Sequence, residues 1–469
     1  MVGNPVTADE NEVTGVSVRE SSSPHNILIV TPDTLGERMA GPAIRAWEIA
    51  KALSPVGNVR LVSTIGATTT HPAFGVHFAS RAELKDHAAW ASIVITQGHI
   101  LRSQPWLKAL DVILIADIYD PLHLEQLEQG KDLPEADRYA VAIDSVEVMN
   151  DQMERADFML CASEKQRDFW LGQLAALARI NPATYDDDPS LRSLLDVAPF
   201  GVADALPVQT EHGIRGRVAG IDAEDKVIIW GGGIYNWFDP ITLIRAVSVL
   251  SERYDNVRLF FLGVKHPNPD VPQMEMERRA RELSDELGLT NRFVFFNETW
   301  VPYESRADFL LDADVGVSTH FPHIETEFSF RTRILDYLWA SLPIVSTDGD
   351  NFAALIREHD LGVAVPAEDV DALVEAFERL LFTDDPATQK LRSQRVGELA
   401  RTMTWTQTLA ALIAFCENPR KAADRERGVI SQRNQIVADL NKRIIGMEAS
   451  SSWRSTAWMR ALGSALRRR

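Results

Sequence analysis

Two successive series of short apolar runs, with helix-length segments between many of them, set the strongest limit on how this chain can fold. The first series falls at 26–31, 59–63, 92–96, 112–116 and 158–161, the second at 226–230, 257–262, 293–296, 315–318 and 344–346. Short uninterrupted apolar runs suit strands buried on both faces of a parallel sheet. Parallel neighbours need crossovers, and segments 42–53, 240–254, 274–287, 331–340 and 370–381 have the length and pattern of helices. The alternation predicts an α/β fold of two doubly wound, Rossmann-like halves facing across a cleft. A polar stretch at 181–193 interrupts the rhythm, so the halves are expected at 25–204 and 205–400, after a loose polar leader at 1–24.

Composition removes several classes of function. With 469 residues and a formal net charge of −19, the chain is long enough for two domains and too acidic for non-specific nucleic-acid binding. Cys161 and Cys416 stand alone, which argues against a disulfide framework or structural zinc and fits a reducing compartment, the cytoplasm. No apolar stretch reaches the roughly 18 residues of a membrane span, and the acidic start has no apolar core of a secretory signal.

The end of the chain differs in kind. Ile430, Val437 and Ile444 are spaced by seven, with Leu440 and Met447 at complementary positions and Arg433 interrupting the seam. This suits either a coiled coil joining two copies through 428–448 or one amphipathic helix packed on the body. Beyond it, Trp453, Trp458, Leu462 and Leu466 can share a helical face, flanked by Arg454, Arg460 and three terminal arginines. From residue 419 onward basic residues outnumber acidic ones three to one. A basic amphipathic end on an acidic body predicts contact with a membrane surface, with a packed terminal helix as the alternative.

In facing α/β sheets, ligands collect beyond the carboxyl ends of the strands. The loop after the first run carries Gly36 and Gly41 ahead of a helix N-terminus, an arrangement that favours an anion. Its glycine spacing is not a dinucleotide fingerprint, which counts against a nicotinamide dehydrogenase. The loop after 226–230 holds three consecutive glycines, including Gly232 and Gly233, and then Asn236. Such a run is costly to order and suits close approach to a diphosphate. After 315–318, Glu325, Glu327, Arg331, Thr332, Arg333 and Asp336 cluster around a helix start. Guanidinium groups there suit phosphate oxygens, and Asp336 a ribose hydroxyl pair. In the first half, Asp117, Asp120 and His123 follow a strand, and Gln97-Gly98-His99 ends another. Each has a structural alternative: a packing turn, a surface charge or a core histidine.

Asp336-Tyr-Leu-Trp-Ala-Ser-Leu-Pro343 followed by an apolar strand resembles the donor segment of glycosyltransferase family 4, of the GT-B superfamily. Pro199-Phe-Gly-Val202 resembles that family's domain junction, and the helix begun by Met403-Thr-Trp-Thr406 its return to the first domain, at 401–418. The resemblance implies a GT-B fold with a C-terminal helical extension at 419–469. It also implies transfer of a sugar from a nucleotide-sugar donor with retention, and no metal or other cofactor. Donor residues would be Gly36, Gly41, Gly232, Gly233, Asn236, Arg331, Thr332, Arg333 and Asp336; the catalytic groups Asp117, His123, Glu325 and Glu327. The chain departs from the family where it matters. Asp336 replaces the second glutamate of the donor motif and Phe328 stands at the first, so Glu325 or Glu327 would have to contact the sugar. The family's donor arginine and lysine fall near Gly233 and Phe238, leaving Arg331 and Arg333 to supply the charge. Phe330-Arg-Thr-Arg333 and the Trp453-Arg-Ser-Thr-Ala457 tail resemble bacterial transferases of O-antigen and related surface polysaccharides. These act on lipid-linked glycan acceptors, which implies work at the inner face of the cell membrane. A nucleotide-sugar epimerase and a non-catalytic GT-B-like scaffold remain alternatives.

Overall fold

The computed structural model describes residues 24–264, 274–426 and 429–456. The first sheet comprises β1 His25–Thr31, β2 Gly57–Ser63, β3 Gly75–Phe78, β4 Ile93–Gln97, β5 Ile113–Asp117, β6 Phe158–Cys161 and β7 Leu195–Val197, in the order 3-2-1-4-5-6-7. The second comprises β8 Lys226–Trp230, β9 Val257–Phe261, β10 Val294–Phe296, β11 Val315–Ser318, β12 Ile344–Thr347 and β13 Gly362–Val365, in the order 10-9-8-11-12-13. Every strand pairing is parallel. Both orders are doubly wound, reversing direction beside β1 and β8, where a ligand crevice opens. These are the two Rossmann-like domains and helical C-terminus of a GT-B fold.

Burial follows the two-residue period of a strand. Ile27 and Ile29 enter one apolar layer while Leu28 and Val30 enter the other, and all four are fully buried. Val227 and Ile229 likewise oppose Ile228 and Trp230. Three strands were not expected from the sequence. β3 and β13 are partly exposed edges and β7 has three residues; His77 and Asp196 interrupt β3 and β7, while β13 is a four-residue run that opens on glycine. At β13 a Cβ on Gly362 would lie 1.9 Å from the Ile344 carbonyl oxygen, so pairing with β12 requires glycine.

The chain returns to the first domain after the second sheet. Val202 and Thr404 form an isolated parallel bridge, and a Cβ on Gly201 would sit 2.6 Å from the Trp405 backbone. The single helix expected at 404–416 is two, Trp405–Thr408 and Ala410–Glu417, broken at Leu409. Phe415 stacks on Phe158 of the first sheet at 4.3 Å. The segment after it is pinned by Asp424, buried against Arg179, and by Arg425 on Asp157. Helix Val429–Ala449 then runs over the expected heptads. The leader to residue 23 and the tail from 457 lie outside the described residues.

Candidate active site

The loop following β8 is built around its glycines. Gly232 has φ +85°, a conformation that only glycine adopts freely. The Gly231 amide donates to the Tyr337 hydroxyl at 2.8 Å, and that hydroxyl donates to the Val317 carbonyl, tying the loop to helix Thr332–Trp339 and to β11. The amides of Gly232 and Gly233 have no acceptor among the described residues. Asn236, expected to bind donor, instead accepts the Met276 amide at 3.1 Å, at the start of helix Glu275–Glu286.

Arg333 lies against this loop. Its Nη2 donates to the Gly233 carbonyl at 3.0 Å, and its guanidinium covers Phe238 at 3.8 Å and Trp230 at 4.3 Å. No carboxylate neutralises it among the described residues, and Nη1 is buried without a partner. Burial pushes its pKa down to about 10, countered by the Tyr337 hydroxyl, so it stays cationic at neutral pH. A buried cation with an unused donor, beside unused amides, is a ready site for a phosphate group.

Arg331 behaves differently. Its Nη1 and Nη2 donate to the two oxygens of Glu325 at 3.0 and 2.7 Å, and both residues are buried. Arg331 has little charge left for a diphosphate, and Glu325 is held where it cannot reach a sugar without breaking the pair. Glu327 is half-exposed and lies 3.5 Å from Lys165 of the first domain, an ion pair across the rim. Thr332 is exposed at the first position of its helix. Asp336 has Oδ1 3.1 Å from Arg306 Nε, and about a third of its side chain, 35%, is open. Burial raises its pKa against the opposing pull of Arg306.

On the first-domain side, Asp117 is held by three bonds within the body. It accepts from Arg45 Nε and Nη2, both at 2.7 Å, and from Gln97 at 3.0 Å, and is closed to solvent. Arg45 also donates to the Ala198 carbonyl and faces the Tyr119 and Phe200 rings, so the pair joins β5 to the domain junction. His123 stacks on Phe169 at 5.3 Å, with a buried Nδ1 lacking a partner, and burial lowers its pKa. Phe169 in turn stacks on Phe328 of the second domain at 4.5 Å. A Cβ on Gly36 would meet Thr68 Oγ1 at 2.8 Å, because its loop packs on the loop after β2. Gly41 has open space at its Cβ position and ordinary φ, so nothing local requires glycine there.

Two groups carry more of the cleft than the sequence indicated. Asp120 and Glu125 share a hydrogen bond and face Glu325 and Arg331 of the other domain. Burial raises both carboxyls, Glu125 well above the usual range, with Asp120 the next contribution. Glu125 sits on an ordinary-looking polar helix turn, with no sequence signal to single it out. The second group is a strap between domains. Trp300 Nε1 donates to the Met39 carbonyl at 3.1 Å, the Tyr303 amide to Glu37, and the Tyr303 hydroxyl to Glu48 at 3.2 Å. Arg306 covers the Tyr303 ring at 3.8 Å and reaches Asp336, linking the strap to the donor helix.

Residues 225–383 match the family model described as glycosyl transferases group 1. A D-inositol 3-phosphate glycosyltransferase of Mycobacterium marinum is 26% identical over 242 residues, 52% of this chain and 47% of that protein. The chain thus spans about half the length of the curated relatives it matches. Sucrose-phosphate synthase from Thermosynechococcus elongatus superposes with a TM-score of 0.58 at 14% identity, covering 89% of this chain and all of that one. WaaG, a glycosyltransferase involved in lipopolysaccharide biosynthesis, gives 0.55 at 15% identity over 84% of this chain and all of its own. The architecture is that of the GT-B class. The resemblance read from Asp336–Pro343 falls inside the region, 225–383, that matches the glycosyl transferases group 1 model.

Proposed function

We propose that this chain is a glycosyltransferase. It binds a nucleotide-sugar donor at the strand ends of the second domain and passes the sugar, with retention and without a metal, to an acceptor held by the first. The observation that carries the reading is Arg333, a buried cation with a free donor beside the unused amides of Gly232 and Gly233. In this reading these groups take the leaving diphosphate, where donors aimed at developing negative charge lower the barrier most. Asp336, with about a third of its side chain, 35%, open, remains the candidate for the ribose.

The acceptor is proposed to be a glycan hydroxyl on a lipid-linked chain, as in surface-polysaccharide synthesis such as O-antigen assembly. The curated relatives are named for a phosphorylated acceptor, D-inositol 3-phosphate. Here Asp120, Glu125 and Glu128 line or adjoin the cleft between domains, and carboxyl groups bond sugar hydroxyls while offering a phosphate no positive charge. That favours a neutral acceptor. No helix among the described residues is long and apolar enough to cross a membrane. Contact with the inner membrane face is therefore proposed through the basic end of the chain, where Trp453 begins the amphipathic pattern. Sedimentation with anionic liposomes, with and without residues 450–469, tests that placement.

The test of the activity is release of nucleoside diphosphate from a panel of nucleotide sugars, with and without glycan acceptors. Release that needs acceptor supports the transferase. A changed sugar released without acceptor supports an epimerase, and no turnover or nucleotide binding by folded protein leaves a scaffold.

A further inference from the structure

Among the described residues, helix Val429–Ala449 carries the largest group of exposed large hydrophobic side chains. Val437, Leu440, Ile444 and Met447 are between 48% and 58% exposed, and Ile436 beside them is 60% exposed. These residues fall at alternate spacings of three and four, the a and d positions of a heptad, on a helix about 31 Å long by its 21 residues. Placing Val437 and Ile444 at a and Leu440 and Met447 at d puts Arg443 at g and Glu448 at e of the following heptad. In a parallel pair, g of one helix meets e of the next heptad on its partner. Arg443 then faces Glu448 of the second copy twice, once on each side of the seam. An antiparallel pair sets g against g and e against e, and loses both contacts. Neither residue has an ion-pair partner within the chain among the described residues.

We propose that this helix joins two copies of the chain as a parallel coiled coil, the Arg443–Glu448 pairs fixing its direction. The inference stands apart from the proposed activity and would hold for a scaffold as well. It places both two-domain bodies at one end of the seam. Arg433, at a d position, weakens the first heptad, so the association is reversible.

The test is the mass of the full-length protein by light scattering at tens of micromolar, with four variants. Unmodified protein is expected to have twice the chain mass. Leu440→Asp with Ile444→Asp should give single chains with the same body melting transition, since both side chains are exposed. Arg443→Glu should raise the dissociation constant roughly tenfold, and adding Glu448→Arg should restore it. Met447→Cys should oxidise to a covalent dimer, because a d residue meets itself only in the parallel register; Cys161 and Cys416 are buried and leave a clean background. Single chains in the unmodified protein, as a helix folded on its own body would give, overturn the proposal. A dimer that Met447→Cys fails to cross-link overturns it equally.

Discussion

Arg331→Met separates the two arginines that the sequence presents as equivalent. In the structure the Arg331 fork is spent on Glu325, two charge-assisted bonds at 2.7 and 3.0 Å with both partners buried. Methionine keeps much of the volume against Phe238, over which the guanidinium lies at 5.0 Å, and removes the charge. Glu325 then keeps only His323, at 3.6 Å and with its pKa lowered by burial, and breaking such a pair on one side costs about 3–5 kcal/mol. At about 2–4 °C per kcal/mol for domains of this size, the second domain should melt roughly 6–20 °C lower. Adding Glu325→Gln should recover more than half of the loss, because the double variant leaves no unpaired charge. Calorimetric melting of the four proteins of this cycle measures both quantities. Nucleotide affinity, assayed near 10 °C where the variant stays folded, should change little. A small melting shift with a large loss of nucleotide affinity would refute the argument and make Arg331 the phosphate ligand.

Three further outcomes follow from other parts of the molecule. Gly201→Ala should destabilise by about 1–3 kcal/mol in a melting experiment, because its methyl group would sit 2.6 Å from the Trp405 backbone, which cannot turn aside; an unchanged midpoint would mean the domain junction is looser than it looks. Asp117→Ala should cost about 3–5 kcal/mol by leaving Arg45 buried and unpaired, a stability loss rather than a purely catalytic one. For Glu125, a folded pKa raised above the ordinary value means the folded state holds more protons, so its contribution turns unfavourable as pH rises through the usual carboxylate range. Glu125→Gln should therefore stabilise at neutral pH and lose that advantage below the ordinary carboxylate range; a constant difference across pH would contradict the shared-proton pair.

The sheets were legible because a buried parallel strand must be apolar on both faces, and ten such runs stand clear of polar surroundings. The edge strand β3 escaped because one-sided burial admits His77, and β13 because its four residues open on glycine. The candidate site was legible in its loops and less so in its charges. Sequence places Arg331, Arg333, Glu325 and Asp336 on one short segment but cannot say which carboxylate answers which arginine. Folding pairs Arg331 with Glu325, hands Asp336 to Arg306 from another element, and leaves Arg333 unpaired. Asp117 carries the same ambiguity: a strand-end carboxylate is the same in sequence whether it faces a ligand or Arg45. Glu125 and the Trp300–Tyr303 strap act only through contacts between domains, distant in sequence and carrying no local pattern.

The central claim is that Arg333 and the glycine loop after β8 hold the diphosphate of a nucleotide donor, and isothermal titration of nucleoside diphosphates into unmodified and Arg333→Leu protein tests it most directly. Leucine fills the space over Trp230 and Phe238 and leaves the Gly233 carbonyl its bond from Trp230 Nε1, so melting should shift little. Losing charge-assisted bonds worth about 1.5–3 kcal/mol should weaken binding roughly 10- to 150-fold. Tight binding to the unmodified protein and that loss in a folded variant is the predicted result. Equal affinity in both proteins, or no binding by either, would contradict the account.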